Sequence, residues 1–309
     1  MSKIRRIFEY LFGSIESKPL YDPDFQWIED SPLKGERYCF SHSGGIGDIL
    51  FSLYFCKEFS EKNGKIPFDF HIRTHVSDAG MGGHKHPFGT FRMTSASAGF
   101  LKGLLEEQPF IGEVSIGDEL PENAIDLDRC RELKINFAAG DIHNWYYNLC
   151  RTHLPREFWK PVLTVQPDFK YQQKVLFTAT ERYQNVYIDF SVLKDFKDEL
   201  VFAGTPEEYR IFTEKYFPLE YAPCSSMLEL ACYMAGAKGL LGNQSGIFST
   251  ADCLKIPRIL LAPEFFKFKK RIGPGPHVNL PQGGWCEDAG TTEKMLAALN
   301  ELLNRQPTF

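Results

Sequence analysis

Arg37-Tyr38-Cys39-Phe40-Ser41-His42 is followed by Ser43-Gly44-Gly45-Ile46-Gly47-Asp48 and then by Ile49-Leu50-Phe51-Ser52-Leu53-Tyr54-Phe55-Cys56. The first run reads as a buried strand. The glycines allow a sharp turn, and the last run has its apolar residues at helical spacing. Strand, glycine turn and helix form the opening unit of a doubly wound α/β sheet. Working outward, Phe68-Asp69-Phe70-His71-Ile72-Arg73 predicts the next strand, 100–107 a helix, 114–116 and 124–127 short strands, and 145–153 a further helix.

The proline-rich passage 155–167 reads as a linker into a fresh α/β series. That series has strands expected at 174–178, 200–204, 239–242 and 258–261, with helices at 206–216, 226–235 and 247–254. Strands alternating with helices imply parallel pairing, because each crossover must return over a sheet face. A chain of 309 residues exceeds what one core usually organises. The expectation is two domains, 1–165 and 166–309.

The charge balance is −5, and Lys and Arg are scattered rather than gathered on one stretch, which disfavours nucleic acid as a partner. None of the eight cysteines forms a C-x-x-C pair or a zinc-spaced cluster, and several lie inside apolar runs. Reduced thiols in a reducing, cytoplasmic compartment are expected. Residues 1–12 set Lys3, Arg5 and Arg6 beside Ile4, Ile7, Phe8, Leu11 and Phe12, an amphipathic pattern read as a helix packed on protein. No apolar run is long enough to span a bilayer. The stretch 77–95 reads as a long loop. His84 and His86 within it have no acidic or cysteine neighbour to complete a metal site, so no metal is expected.

Four segments carry candidate chemistry. Asp48 lies at the carboxyl end of the first strand, where α/β ligand sites gather, and is a candidate general base; by position alone the plainer reading is a helix cap. Gln244-Ser245-Gly246, with Ser249 one turn on, follows the strand at 239–242 and opens a helix whose free amides and hydroxyls suit a phosphate. Thr178, Thr180 and Arg182 stand at the end of the strand at 174–178, and arginine offers a planar fork to phosphate oxygens. Gly204-Thr205-Pro206 is sound capping chemistry that could also border a base or ribose.

In this order the segments resemble the ADP-heptose–lipopolysaccharide heptosyltransferase family. Gly47-Asp48-Ile49-Leu50 matches that family's Gly-Asp-x-Leu turn, and 244–257 matches its Asp-Ser/Thr-Gly-x-x-His-x-Ala-x-Ala-Leu-x-x-Pro run, with Gln244 and Ser249 where the family has Asp and His. Met227-Leu228-Glu229-Leu230-Ala231 looks like the family's preceding helix. The resemblance implies a GT-B architecture, two Rossmann-like domains facing across a cleft. It also implies inverting, metal-independent transfer from a nucleotide-diphosphate sugar, with no cofactor required. Asp48 then becomes the base, and Thr178, Thr180, Arg182, Gly204, Thr205, Gln244, Ser245, Gly246 and Ser249 the donor site. The nucleotide, the sugar and the acceptor stay open. The alternative is a non-catalytic nucleotide- or sugar-binding protein on the same scaffold.

Overall fold

The computed structural model describes residues 27–28, 37–77, 92–133, 142–150, 154–180, 185–261, 266–268, 271–273 and 283–305. A parallel four-stranded sheet is built from β1 (Cys39–His42), β2 (Phe68–Arg73), β3 (Ile111–Gly117) and β4 (Ala124–Asp126), in the order β3-β2-β1-β4. A second parallel sheet has six strands: β5 (Val175–Thr178), β6 (Leu200–Phe202), β7 (Glu220–Tyr221), β8 (Gly239–Gly242), β9 (Arg258–Leu260) and β12 (Cys286–Asp288). Its order is β12-β9-β8-β5-β6-β7. Between β9 and β12 the chain makes an antiparallel pair, β10 (Phe266–Phe268) with β11 (Arg271–Gly273).

The helix α1 (Ile46–Lys62) is buried at Ile49, Leu50, Phe51, Leu53, Tyr54, Phe55, Cys56 and Phe59. A helix apolar on nearly every side must be covered on every side. One side meets the first sheet, where Phe40 of β1 packs edge-on to Phe55 and Phe59. The other meets α6 (Gly246–Leu254) of the second unit, where the Cys253 thiol lies 3.7 Å from the Leu50 carbonyl. Two further helices, α2 (Ser95–Glu106) and α5 (Met227–Gly236), also pack across the two units. α3 (His143–Tyr147) sits against α1.

Period-two alternation sorts the second sheet's residues between two cores. Leu176, Val201, Leu240 and Leu260 face α5 and α6 in the core shared with the first unit. Val175, Phe177, Phe202, Leu241 and Ile259 face the other way. There they pack under Phe212 of α4 (Pro206–Lys215), under the 3-10 segment Phe190–Phe196, and under Met295, Leu299 and Leu302 of α7 (Thr292–Asn304).

The passage read as a linker turns at 157–160 and is fastened to both units. The Arg156 and Glu157 amides donate to the Glu58 carboxylate of α1, and the Val162 and Leu163 amides to the Cys253 carbonyl of α6. Thr164 and Gln108 exchange reciprocal hydrogen bonds of 2.9 and 3.2 Å.

The strand at 239–242 stands as expected, and those at 174–178, 200–204 and 258–261 stand a residue or two shorter. The expected helix at 145–153 is corrected to the five residues of α3, because Cys150 instead forms a parallel bridge with Ile28. The helix expected from residue 100 begins at Ser95, where the Thr94 hydroxyl accepts the Ser97 amide as a cap. The amphipathic stretch 1–12 and the histidines 84 and 86 lie outside the described residues. No described helix is long and apolar enough to cross a membrane.

Candidate active site

In each sheet the strand order reverses beside the first strand of its unit: between β1 and β4, and between β5 and β8. Adjacent strands there send their connections to opposite faces, which opens a crevice at the carboxyl ends, the usual ligand position in such sheets. The first crevice is bordered by His42, Ser43 and Gly44 on one side and Asp126 and Asp128 on the other. The second is bordered by Thr178 to Thr180 and by Gly242 to Ser245.

The two crevices are brought together by α1 and α6, which run side by side in the same direction. Ile46 lies against Gly246, Gly47 against Ser249 and Leu50 against Cys253, and the Lys255 ammonium sits over the Tyr54 ring. The approach is close because both contacts at the helix starts use glycine. A Cβ on Gly246 would fall 2.9 Å from the Ile46 Cβ, and one on Gly47 would fall 2.7 Å from the Ser249 hydroxyl. Parallel neighbours align their dipoles, so two positive helix ends reinforce one another at the crevices and favour an anion there.

On the second unit's side, Ser245 caps α6 by accepting the Phe248 amide at 3.2 Å, and the Ser249 hydroxyl donates to the Ser245 carbonyl at 3.0 Å. Both hydroxyls are engaged in shaping the helix start, leaving the first-turn amides of Gly246 and Ile247 without intrahelical acceptors. Asn243 clamps the turn after β5: its Oδ1 accepts the Thr180 amide at 3.1 Å and its Nδ2 donates to the Thr180 carbonyl at 2.7 Å. Thr178 is buried within β5, its methyl lodged against Gly242. Gln244, one residue before the Ser245 cap, is also buried. Thr205 spends its hydroxyl on a capping box with Glu208, and the Gly204 carbonyl accepts from Tyr221. Arg182 lies outside the described residues.

On the first unit's side, Asp48 is at the third position of α1. Its Oδ2 accepts the Gly45 amide at 3.1 Å and a guanidinium N–H of Arg131 at 3.2 Å. Sequence reasoning offered cap or base; the cap is present, and Oδ1 accepts no hydrogen bond from the described residues. Arg131 also lies 3.5 Å from Asp128. Asp128 accepts the Ser43 amide and an Arg73 N–H, each at 2.9 Å, and faces His42 Nδ1 at 3.1 Å. The Tyr146 hydroxyl donates to the Asp48 carbonyl at 2.9 Å and accepts from His42 Nε2 at 2.9 Å.

Burial pushes the Asp128 carboxyl up, but the charge and hydrogen bond of His42, the Ser43 contact and Arg131 outweigh it, and the group is held far below the usual carboxylate range. Asp126 is raised, first by burial and then by the Asp128 charge, with Arg73 only partly offsetting them. Burial works against the Arg131 cation, yet Asp48 leads the neighbours that hold the guanidinium charged. The crevice therefore pairs one carboxyl held well below the usual range with one raised above it.

The structure brings Asp48 and the Gln244–Ser249 segment into one place and sets Thr178 and Thr180 beside them across the β5–β8 crevice. Gly204 and Thr205 stand one strand further out, after β6. Asp126, Asp128, Arg131, His42, Tyr146 and Asn243 were not singled out from sequence. Applying the strand-end rule to the strand at 124–127 would have found the two aspartates; the others depend on contacts with no local signature.

Two Rossmann-like units joined through their first and sixth helices, with crevices at neighbouring strand ends, define a GT-B architecture. No family model matches the chain, and no curated protein matches it. Solved structures do. A glycosyl transferase family 9 protein of Veillonella parvula superimposes with a TM-score of 0.56 at 12% identity, covering 88% of this chain and 98% of that one. The E. coli heptosyltransferase WaaC, determined with ADP, gives 0.52 at 12% identity, covering 86% and 99%. The iron-containing dodecameric glycosyltransferase TibC of enterotoxigenic E. coli gives 0.53 at 13% identity, covering 87% and 78%. The likeness is one of fold, and it extends over both units.

Proposed function

We propose that the protein is a glycosyltransferase that moves a sugar, with inversion and without a metal, from a nucleotide-diphosphate sugar to an acceptor hydroxyl. The observation that carries this reading is the meeting of two parallel helix N-termini beside a carboxylate, Asp48, one of whose oxygens accepts no hydrogen bond from the described residues. Residues 166–309 would hold the donor and 1–165 the acceptor. The donor's diphosphate would lie at the start of α6, on the Gly246 and Ile247 amides, with Thr180 and Arg182 at its flank; Thr178, Gln244, Ser245 and Ser249 would shape that cradle, and Gly204 and Thr205 would border the nucleoside. These donors would offset charge developing on the leaving diphosphate. Asp48 would take the acceptor's proton as the new C–O bond forms and the anomeric C–O bond to the diphosphate breaks. The solved structures of similar fold include heptosyltransferase WaaC determined with ADP, and this supports a nucleotide ligand.

The test is calorimetry with a panel of nucleoside diphosphates and nucleotide sugars, with and without divalent cation. The expected result is saturable binding of one nucleotide, weakened about tenfold or more by Arg182→Ala and by Asn243→Ala, the latter because it frees the Thr180 turn. No binding across the panel would overturn the reading. The engagement of Asp48 in capping and ion pairing favours the second reading, a nucleotide-binding protein without transfer. Binding with no turnover of the bound nucleotide sugar would select it.

A further inference from the structure

The interactions around Asp48 close into a ring. Asp128 reaches the Asp48 carboxylate through Arg131, whose Nε is 3.5 Å from Asp128 Oδ1 and whose terminal nitrogen is 3.2 Å from Asp48 Oδ2. A second set of contacts runs from Asp128 to His42, whose Nδ1 also takes the Gly44 amide at 3.0 Å, and on to the Tyr146 hydroxyl, which donates to the Asp48 carbonyl. Asp128 is itself tied to the turn by the Ser43 amide and to β2 by Arg73. His42 and Tyr146 are fully buried, and the Asp128 side chain is 11% exposed. One carboxylate oxygen of Asp48 is thus fixed by two donors, Gly45 and Arg131, while the other accepts none from the described residues.

We infer that Asp128 and Arg131 are positioning residues for Asp48: they orient its carboxylate so that Oδ1 is presented to the acceptor hydroxyl. The inference rests on the transferase reading and deepens it. A surface ion pair would contribute little, but this one lies in a partly buried ring with a fixed far end, and a general base depends on its aim. A misplacement of about 1 Å costs on the order of 100-fold in rate. The Gly45 bond holds Oδ2 at one point only, and the Arg131 contact is the second point that fixes the carboxylate's rotation.

The experiment uses the nucleotide sugar that binds in the calorimetric panel, with water as the acceptor. The water oxygen bonds to the anomeric carbon, its proton passes to Asp48, and the nucleoside diphosphate leaves with the electron pair of the broken bond. Arg131→Met is expected to lower kcat by roughly 10- to 100-fold with KM and nucleotide Kd unchanged within about twofold, and Arg131→Lys to recover part of the loss. Tyr146→Phe, which cuts only the second set of contacts, is expected to lower kcat by a smaller factor. It also covers the case in which Asp128→Asn, buried and heavily bonded, fails to fold. If Arg131→Met keeps full kcat while Asp48→Asn loses it, the positioning role is overturned and the transferase reading stands. If Asp48→Asn keeps full kcat, or no nucleotide in the panel binds, the transferase reading falls and the positioning role falls with it.

Discussion

Asp48→Asn is expected to abolish transfer, by about 100- to 10,000-fold in kcat, while leaving nucleotide binding within about twofold of the unsubstituted protein. The amide keeps an oxygen to accept the Gly45 N–H, so the start of α1 should survive. It cannot take a proton, so the proposed base is lost, together with the negative charge that faces Arg131. The paired readout separates this from a structural effect: an altered fold would lower kcat and nucleotide affinity together. Retention of the full rate would remove Asp48 from the chemistry and return it to the simple helix cap that its position also allows.

The second large effect concerns stability, at the seam between the units. Asp252 of α6 is about 1% exposed and takes hydrogen bonds or ion pairs from Arg258, which is fully buried, and from Lys255 at 3.1 Å; the His143 ring lies 3.3 Å away. Phe51, Tyr54 and Phe158 wall His143 in. Asp252→Ala leaves two cations with their shared anion gone, and is expected to cost about 3–5 kcal/mol in urea unfolding. Burial raises the Asp252 carboxyl, but the His143 hydrogen bond and the Lys255 and Arg258 charges outweigh it and hold the group well below the usual range. The sign follows from that depression: the contribution is fully present above the unfolded carboxyl value of about 3.9 and is lost as pH falls below it. The stability gap between the unsubstituted protein and Asp252→Asn should be flat from about pH 5 to 8 and narrow below about pH 4. A gap that stayed constant into strong acid would show that the charge of Asp252 contributes nothing.

Much of this architecture was legible in local pattern. The run 239–242 followed by Asn243-Gln244-Ser245-Gly246 announced a strand, a turn and a helix because glycine, cap residue and apolar spacing agree there. The same agreement marked β1 and α1. What escaped was set by partners distant in the chain. β7 and β12 are two and three residues long and exist through pairing with β6 and β9. α7 did carry a signal, since Met295, Ala298, Leu299 and Leu302 recur at helical spacing and all face the second core. The site shows the same division. Asp48 and the Ser245-Gly246 turn could be found from strand ends. Arg131, 83 residues beyond Asp48, and Asn243, 63 beyond Thr180, take their meaning only from the contacts the fold makes.

A nucleoside diphosphate is proposed to sit where α6 begins, across the β5–β8 crevice. Amide hydrogen exchange, measured with and without the nucleotide that binds most tightly, tests it directly. Protection is expected to concentrate at Gly246 and Ile247, whose amides have no intrahelical acceptor, with lesser protection at the start of α1. Protection confined to other surfaces, with those amides unchanged, would contradict it.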